Sequence, residues 1–148
     1  MNSDFIIKNS FSKFIEIFGE DSSKFLQSLI TNDIQKCKIN NPIYSCLLSP
    51  QGKFLADFFI IFDSNKYLIE IHEKYINSFL TKLQAYKLRA KVEFTLSDDI
   101  ESYIFFSENK AEVKNSLISF KDPRSPNIGL KIFLNKENKK NILNIKEY

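Results

Sequence analysis

The stretch from Leu48 to Phe62 constrains the fold more than any other part of this chain. It opens with Ser-Pro-Gln-Gly, in which Pro50 suits the second position of a type I turn and Gly52 the fourth. Ile43 to Leu48 before the turn is β-prone, and Phe54 to Phe62 after it is almost wholly aromatic and branched. The pattern predicts a β-hairpin whose second strand is covered on both faces. Taken two residues at a time, one face of that strand carries Phe54, Ala56, Phe58, Ile60 and Phe62, and the other Leu55, Asp57, Phe59 and Ile61. Asp57 is the only charge inside the run. A carboxylate there loses hydration, so it must find donors or rise in pKa. Two readings stay open for it. Either a neighbouring Lys, Arg or backbone N–H holds it as a structural acid, or it belongs to a functional site, where such groups concentrate.

The rest of the chain supplies the hairpin with neighbours. Phe14 to Phe18 alternates as a first strand that Gly19 ends. Glu20-Asp-Ser-Ser23 is an acidic, hydroxyl-rich helix start with Asp21 as its expected N-cap, and Phe25, Leu26, Leu29 and Ile30 form the apolar stripe of a short helix. Asp63-Ser-Asn-Lys66 is a second turn, leading to a strand from Tyr67 to His72. A longer helix follows, with Tyr75, Ile76, Phe79, Leu80, Leu83 and Tyr86 on one face, and then a strand from Lys91 to Leu96. The order strand, helix, three strands, helix, strand predicts an α+β layer, an antiparallel sheet with its two main helices on one side. Phe25, Leu26, Leu29, Phe58, Ile60, Phe79, Leu80 and Leu83 are its expected core. Ser97-Asp-Asp99 marks a boundary, dividing residues 1–97 from a second β-rich segment, 98–148. There Tyr103 to Phe106 and Ile128 to Leu134 read as strands. The Lys-rich tail, with apolar residues at Ile142, Leu143 and Ile145, reads as a short helix or a frayed end.

Hydrophobic residues make up 43% of the 148, enough for a packed core. Twenty-one Lys and Arg against 18 Asp and Glu leave a net charge of +3, and no basic tail suggests nucleic-acid binding. No signal pattern opens the chain, and its longest apolar run is too short to span a bilayer. A soluble cytoplasmic protein is the expectation. Cys37 and Cys46 fit no common zinc or redox spacing. Cys46 is expected as a small core residue. Cys37, between Lys36 and Lys38, is expected as an idle surface thiol, or as one with a lowered pKa if exposed.

Four segments, in order, resemble one known family. Gly19-Glu-Asp-Ser-Ser-Lys-Phe-Leu-Gln-Ser-Leu-Ile-Thr-Asn-Asp-Ile34 resembles the first helix of the folate-binding YgfZ-type proteins and of their relative, the glycine cleavage T-protein. Tyr44 to Asp57 resembles the hairpin that comes next. Leu83-Gln-Ala-Tyr-Lys-Leu-Arg-Ala-Lys-Val-Glu93 is similar to the YgfZ-type version in particular, and Asp122-Pro-Arg124 followed by Ile128-Gly-Leu130 resembles the family's next landmark.

The resemblance implies an aminomethyltransferase-like folate-binding fold, a tetrahydrofolate-type ligand, and a role in assembling or repairing iron–sulfur clusters alongside that machinery. It places Asp57 at the acidic position that, in the T-protein, faces the reactive part of the folate. His72 falls near the place of a T-protein Asn. Lys82, Lys87, Arg89 and Lys91 are the cations that would meet folate carboxylates, Arg89 and Lys91 foremost, unless they are simply a solvated basic helix end. Folate-contacting residues are thus expected at Asp57, His72, Arg89 and Lys91, with no catalytic residue and no metal ligand assigned. The family's Lys-Gly-Cys signature is not found in this sequence, so the chain is expected to correspond to the front portion of its longer relatives. That expectation carries three alternatives: a folate-binding accessory protein that is not a self-sufficient enzyme, a tetrahydrofolate-dependent aminomethyl or one-carbon transferase, or an interaction module. A homodimer, or a second chain supplying the remainder, is the expected assembly.

Overall fold

The computed structural model describes residues 4–107, 116–142 and 146–147. In chain order these form β1 (Phe5–Lys8), β2 (Ser12–Phe18), α1 (Ser22–Gln27), β3 (Ile43–Leu48), β4 (Phe54–Asp63), β5 (Lys66–His72), α2 (Ile76–Lys87), β6 (Glu93–Ser97), β7 (Ile100–Phe106), β8 (Ile118–Lys121), β9 (Leu130–Asn135) and β10 (Lys146–Glu147). Short 3-10 turns cover Ile34–Lys36, Glu73–Tyr75 and Lys136–Ile142. Two compact units result. Lys13–Ser97 forms one, while Met1–Ser12 joins Asp98–Tyr148 in the other. The expected first unit, residues 1–97, therefore loses its opening segment to the second. The difference is β1, a four-residue strand too short to show a period, which pairs with β7.

The unit Lys13–Ser97 holds a five-stranded sheet in the order β3-β4-β5-β2-β6. The Pro50–Gly52 turn closes as expected, with Gly52 N–H donating to the Ser49 carbonyl at 2.9 Å. At the next turn Ser64 and Asn65 both have positive φ, the backbone of a type I′ hairpin whose twist matches its strands. One sheet face packs against both helices. Its core comprises Ile15, Ile17, Phe25, Leu26, Phe58, Ile60, Ile69, Ile71, Phe79 and Leu83, with Leu29 and Leu80 partly buried against it. The α+β layer is therefore as expected, an antiparallel sheet with its helices on one side.

Several local expectations are corrected. Asp21 occupies the N-cap position of α1 but makes no side-chain cap. Its Oδ2 instead accepts the N–H of Lys91 at 2.8 Å, tying the start of α1 to the approach to β6. Gly19, with φ +119°, allows that approach, since a Cβ there would come within 2.3 Å of the Lys91 carbonyl. The last strand of this unit begins at Glu93, so Lys91 precedes it. Cys37 is buried and donates to the Ile60 carbonyl at 3.3 Å; burial pushes its thiol up to about 11, which removes the idle surface thiol and the activated one alike. Cys46 is only half-buried. Tyr86, on the predicted apolar face of α2, is exposed.

The other unit is a second five-stranded sheet, β10-β1-β7-β9-β8, in which β1 and β10 are parallel while β1 with β7, β7 with β9 and β8 with β9 are antiparallel. Ile6, Tyr103, Phe105, Ile132 and Leu134 form its core. Glu101 links β1 to β7, accepting from Lys8 Nζ at 2.6 Å and Tyr103 Oη at 2.5 Å. The tail begins as a 3-10 turn. Leu143 and Ile145, and the side chain of Ile142, lie outside the described residues. Among the described residues no helix is long and apolar enough to cross a membrane, and no cluster of three or more His, Cys, Asp or Glu side chains has the arrangement of a metal site.

Candidate functional site

The face of the β3-β4-β5-β2-β6 sheet turned away from the helices carries the polar groups of interest. On β4 this face presents Asp57, Phe59 and Ile61, the residues between the core positions Ala56, Phe58 and Ile60. The ladder between β3 and β4 pairs Tyr44 with Phe59 and Cys46 with Asp57, so these four residues share the face. Asp57 is half-buried, and its Oδ2 accepts a hydrogen bond from Tyr44 Oη at 2.6 Å. No other donor reaches this carboxylate among the described residues. The Tyr44 ring leans on Phe59 at a 5.3 Å centroid separation. The donor is therefore a tyrosine rather than the Lys, Arg or backbone N–H considered from sequence.

His72 ends β5. Pairing runs from Asp63–Lys66 to Phe58–Ile71, and one step further the same register sets Asp57 opposite His72. His72 is exposed, and its Nδ1 accepts the Lys74 N–H at 3.1 Å, capping the turn that leads into α2. Its ring meets Tyr75 edge-on at 6.2 Å. That is an N-cap role, filled by an imidazole nitrogen.

Arg89 and Lys91 lie elsewhere. They sit on the connection from α2 to β6, and β5 and β2 separate β6 from β4. At the usual spacing of neighbouring strands this is roughly 14 Å across the sheet. Lys91 Nζ reaches Glu20 Oε2 at 2.9 Å and Lys87 Nζ reaches Glu93 Oε1 at 2.9 Å, both exposed pairs that add little stability. Arg89 is exposed, with no ion pair among the described residues. Of the four expected residues, then, Asp57 and His72 lie on adjacent strands, and Arg89 and Lys91 lie apart from them.

Two residues on the Asp57 face were not singled out from sequence. Tyr44 is one. The other is Glu70, only 3% exposed, which pairs in register with Phe59. Its signal was present: it is the one charge inside Tyr67-Leu-Ile-Glu-Ile71, as Asp57 is inside its own run.

The loop Thr31-Asn32-Asp33, part of the first resembling segment, closes the β3 edge of the sheet. Thr31 N–H donates to Ser45 Oγ at 3.0 Å, Cys46 N–H to Thr31 Oγ1 at 2.9 Å, and Asn32 Nδ2 to the Tyr44 carbonyl at 2.9 Å. These bonds fix the strand that carries Tyr44.

Comparison with known proteins decides the family. Residues 5–103 match the GCVT N-terminal domain. The chain belongs to that family. It is 32% identical to the iron-sulfur cluster assembly factor IBA57 homolog, mitochondrial, of Pyricularia oryzae, over 81% of this chain and 33% of that protein. The protein of the same name from Coccidioides immitis is 29% identical over 86% of this chain and 36% of its own length. The chain thus spans about a third of the length of these curated relatives. In fold, this GCVT N-terminal domain chain matches the crystal structure of glycine cleavage system aminomethyltransferase T from Bartonella henselae, with a TM-score of 0.76 and 12% identity, over 96% of this chain and 45% of that one. The expectation of a cytoplasmic protein is overturned by the names of the relatives, which are mitochondrial.

Proposed function

We propose that this chain is a folate-binding accessory component of iron–sulfur cluster assembly, of YgfZ type, rather than a self-sufficient enzyme. The observation that carries the ligand half of this reading is Asp57. Its carboxylate is half-buried beside aromatic rings, and Tyr44 occupies one oxygen. A half-buried carboxylate with one oxygen still open to an incoming donor suits the N–H groups of a reduced pterin ring. Tyr44 fixes the direction of that carboxylate, its own ring leaning on the buried Phe59. His72 would border the ligand. Arg89 is the cation best suited to a folate carboxylate tail, since Lys91 and Lys87 already have acidic partners. The assembly half of the reading is supported by the names of the relatives.

A second reading, tetrahydrofolate-dependent aminomethyl or one-carbon transfer, is favoured by the same acid, which could assist proton movement near the one-carbon unit. Calorimetric titration of tetrahydrofolate into the purified chain tests the shared premise. Saturable binding is expected. A chain that is fully folded yet takes up no tetrahydrofolate would remove both readings. Transfer of a one-carbon unit by the chain alone would select the second.

A further inference from the structure

The two edges of the β3-β4-β5-β2-β6 sheet are treated differently by the chain. At β3, Thr31 and Asn32 supply hydrogen bonds to the strand, and Ile30 bridges Leu47. At β6 no strand pairs with the outer edge among the described residues, and the strand itself, Glu93-Phe-Thr-Leu-Ser97, holds neither Lys nor Pro to blunt it. One large apolar side chain, Leu96, is left exposed there at 49%, and Phe94 beside it is half-buried.

We propose that β6 joins two copies of this chain, antiparallel about a twofold axis at Thr95, into one continuous sheet. The strand is self-complementary in that register. Thr95 meets Thr95, Phe94 meets Leu96, and Glu93 meets Ser97, so no like charges oppose one another within the strand. Phe94 and Leu96 lie on the helix side of the sheet, because their β2 partners Ile17 and Ile15 belong to the core. Beside them Leu80, Thr81, Gln84, Ala85 and Phe94 line a groove between α2 and the strand. A twofold axis perpendicular to the sheet places both α2 helices on the same side, with the two grooves meeting over the paired apolar residues. Charge agrees with this direction. Arg89, with no ion pair among the described residues, and Lys91, which Glu20 already meets, precede the strand, and Asp98 and Asp99 follow it, so antiparallel pairing sets the basic entry of one copy beside the acidic exit of the other. A parallel arrangement would align like with like.

Sedimentation equilibrium of the whole chain over a concentration series reads the outcome. A reversible dimer is expected. Thr95→Lys, which opposes two ammonium groups at the axis, should raise the dimer dissociation constant about tenfold or more while leaving the circular dichroism spectrum unchanged. Should that variant fail to fold, Thr95→Cys serves instead: under mild oxidant it should give a disulfide-linked dimer that the native chain, with Cys37 and Cys46 alone, does not form. A native chain that stays monomeric throughout would overturn the proposal. So would a dimer that Thr95→Lys leaves intact or that Thr95→Cys fails to cross-link.

Discussion

Phe58 is buried and Leu88 exposed, and both carry measurable consequences. Phe58 is 2% exposed and meets Phe79 edge-on at 5.0 Å, joining β4 to α2. Phe58→Ala should cost about 3–5 kcal/mol, the range for a large aromatic removed from a packed core. An unchanged denaturation midpoint would mean the side chain faces elsewhere. Leu88 is 88% exposed and ends α2 with φ +46°, a backbone conformation that a branched side chain adopts only under strain. Glycine fits that position without penalty, and almost no apolar contact is lost with the leucine. Leu88→Gly should therefore stabilise the chain by about 1 kcal/mol, read as a raised midpoint with an unchanged denaturant slope. A lowered midpoint would show that Leu88 makes contacts this account does not give it. Nothing in the sequence marks that strain, since Lys-Leu-Arg reads as ordinary helix.

At the level of elements, the apolar runs were legible and the registers were not. The core of the hairpin followed from its composition and turn. Which residue of β3 stands beside Asp57 did not. Counting back from the Pro50–Gly52 turn sets Ser45 opposite Asp57, but a register shift between Leu47 and Leu48 sets Cys46 there and turns Tyr44 onto the same face. One inserted residue reverses every side chain of a strand, and the sequence carries no sign of it. The Asp122-Pro-Arg124 turn shows the complementary case, a motif recognised by resemblance whose role is local. The Asp122 side chain is fully buried, and Arg124 returns to it through its backbone N–H, Nε and Nη2, the last at 2.6 Å. Burial alone would raise this carboxyl, but the hydrogen bonds and charge of Arg124 outweigh it and hold it below its ordinary value. Because the folded carboxyl titrates below the unfolded one, its contribution is complete above the unfolded value of about 3.9 and is lost as pH falls through the lower folded value. Asp122→Asn should lower stability at neutral pH and flatten its decline in acid. Equal acid sensitivity in the variant and the native chain, compared by urea unfolding at several pH values, would contradict this.

For the whole molecule, the boundary near Ser97 was readable because turn residues cluster there. The membership of residues 1–12 was not, because β1 finds its partner β7 some hundred positions along the chain. The candidate site was readable only as isolated charges in apolar runs. Asp57 stood out, whereas the separation of Arg89 and Lys91 from it depends on sheet order, which puts β5 and β2 between them. If Asp57 serves a folate ligand more than it serves the fold, Asp57→Asn separates the two roles. The amide keeps the shape and removes the charge and part of the acceptor capacity. Calorimetric affinity for tetrahydrofolate and the urea midpoint should be measured on the same preparation of the native and variant chains. Binding should weaken by about 1.5–3 kcal/mol with a smaller change in stability; an unchanged affinity with a large loss of stability would make Asp57 a structural acid held by Tyr44.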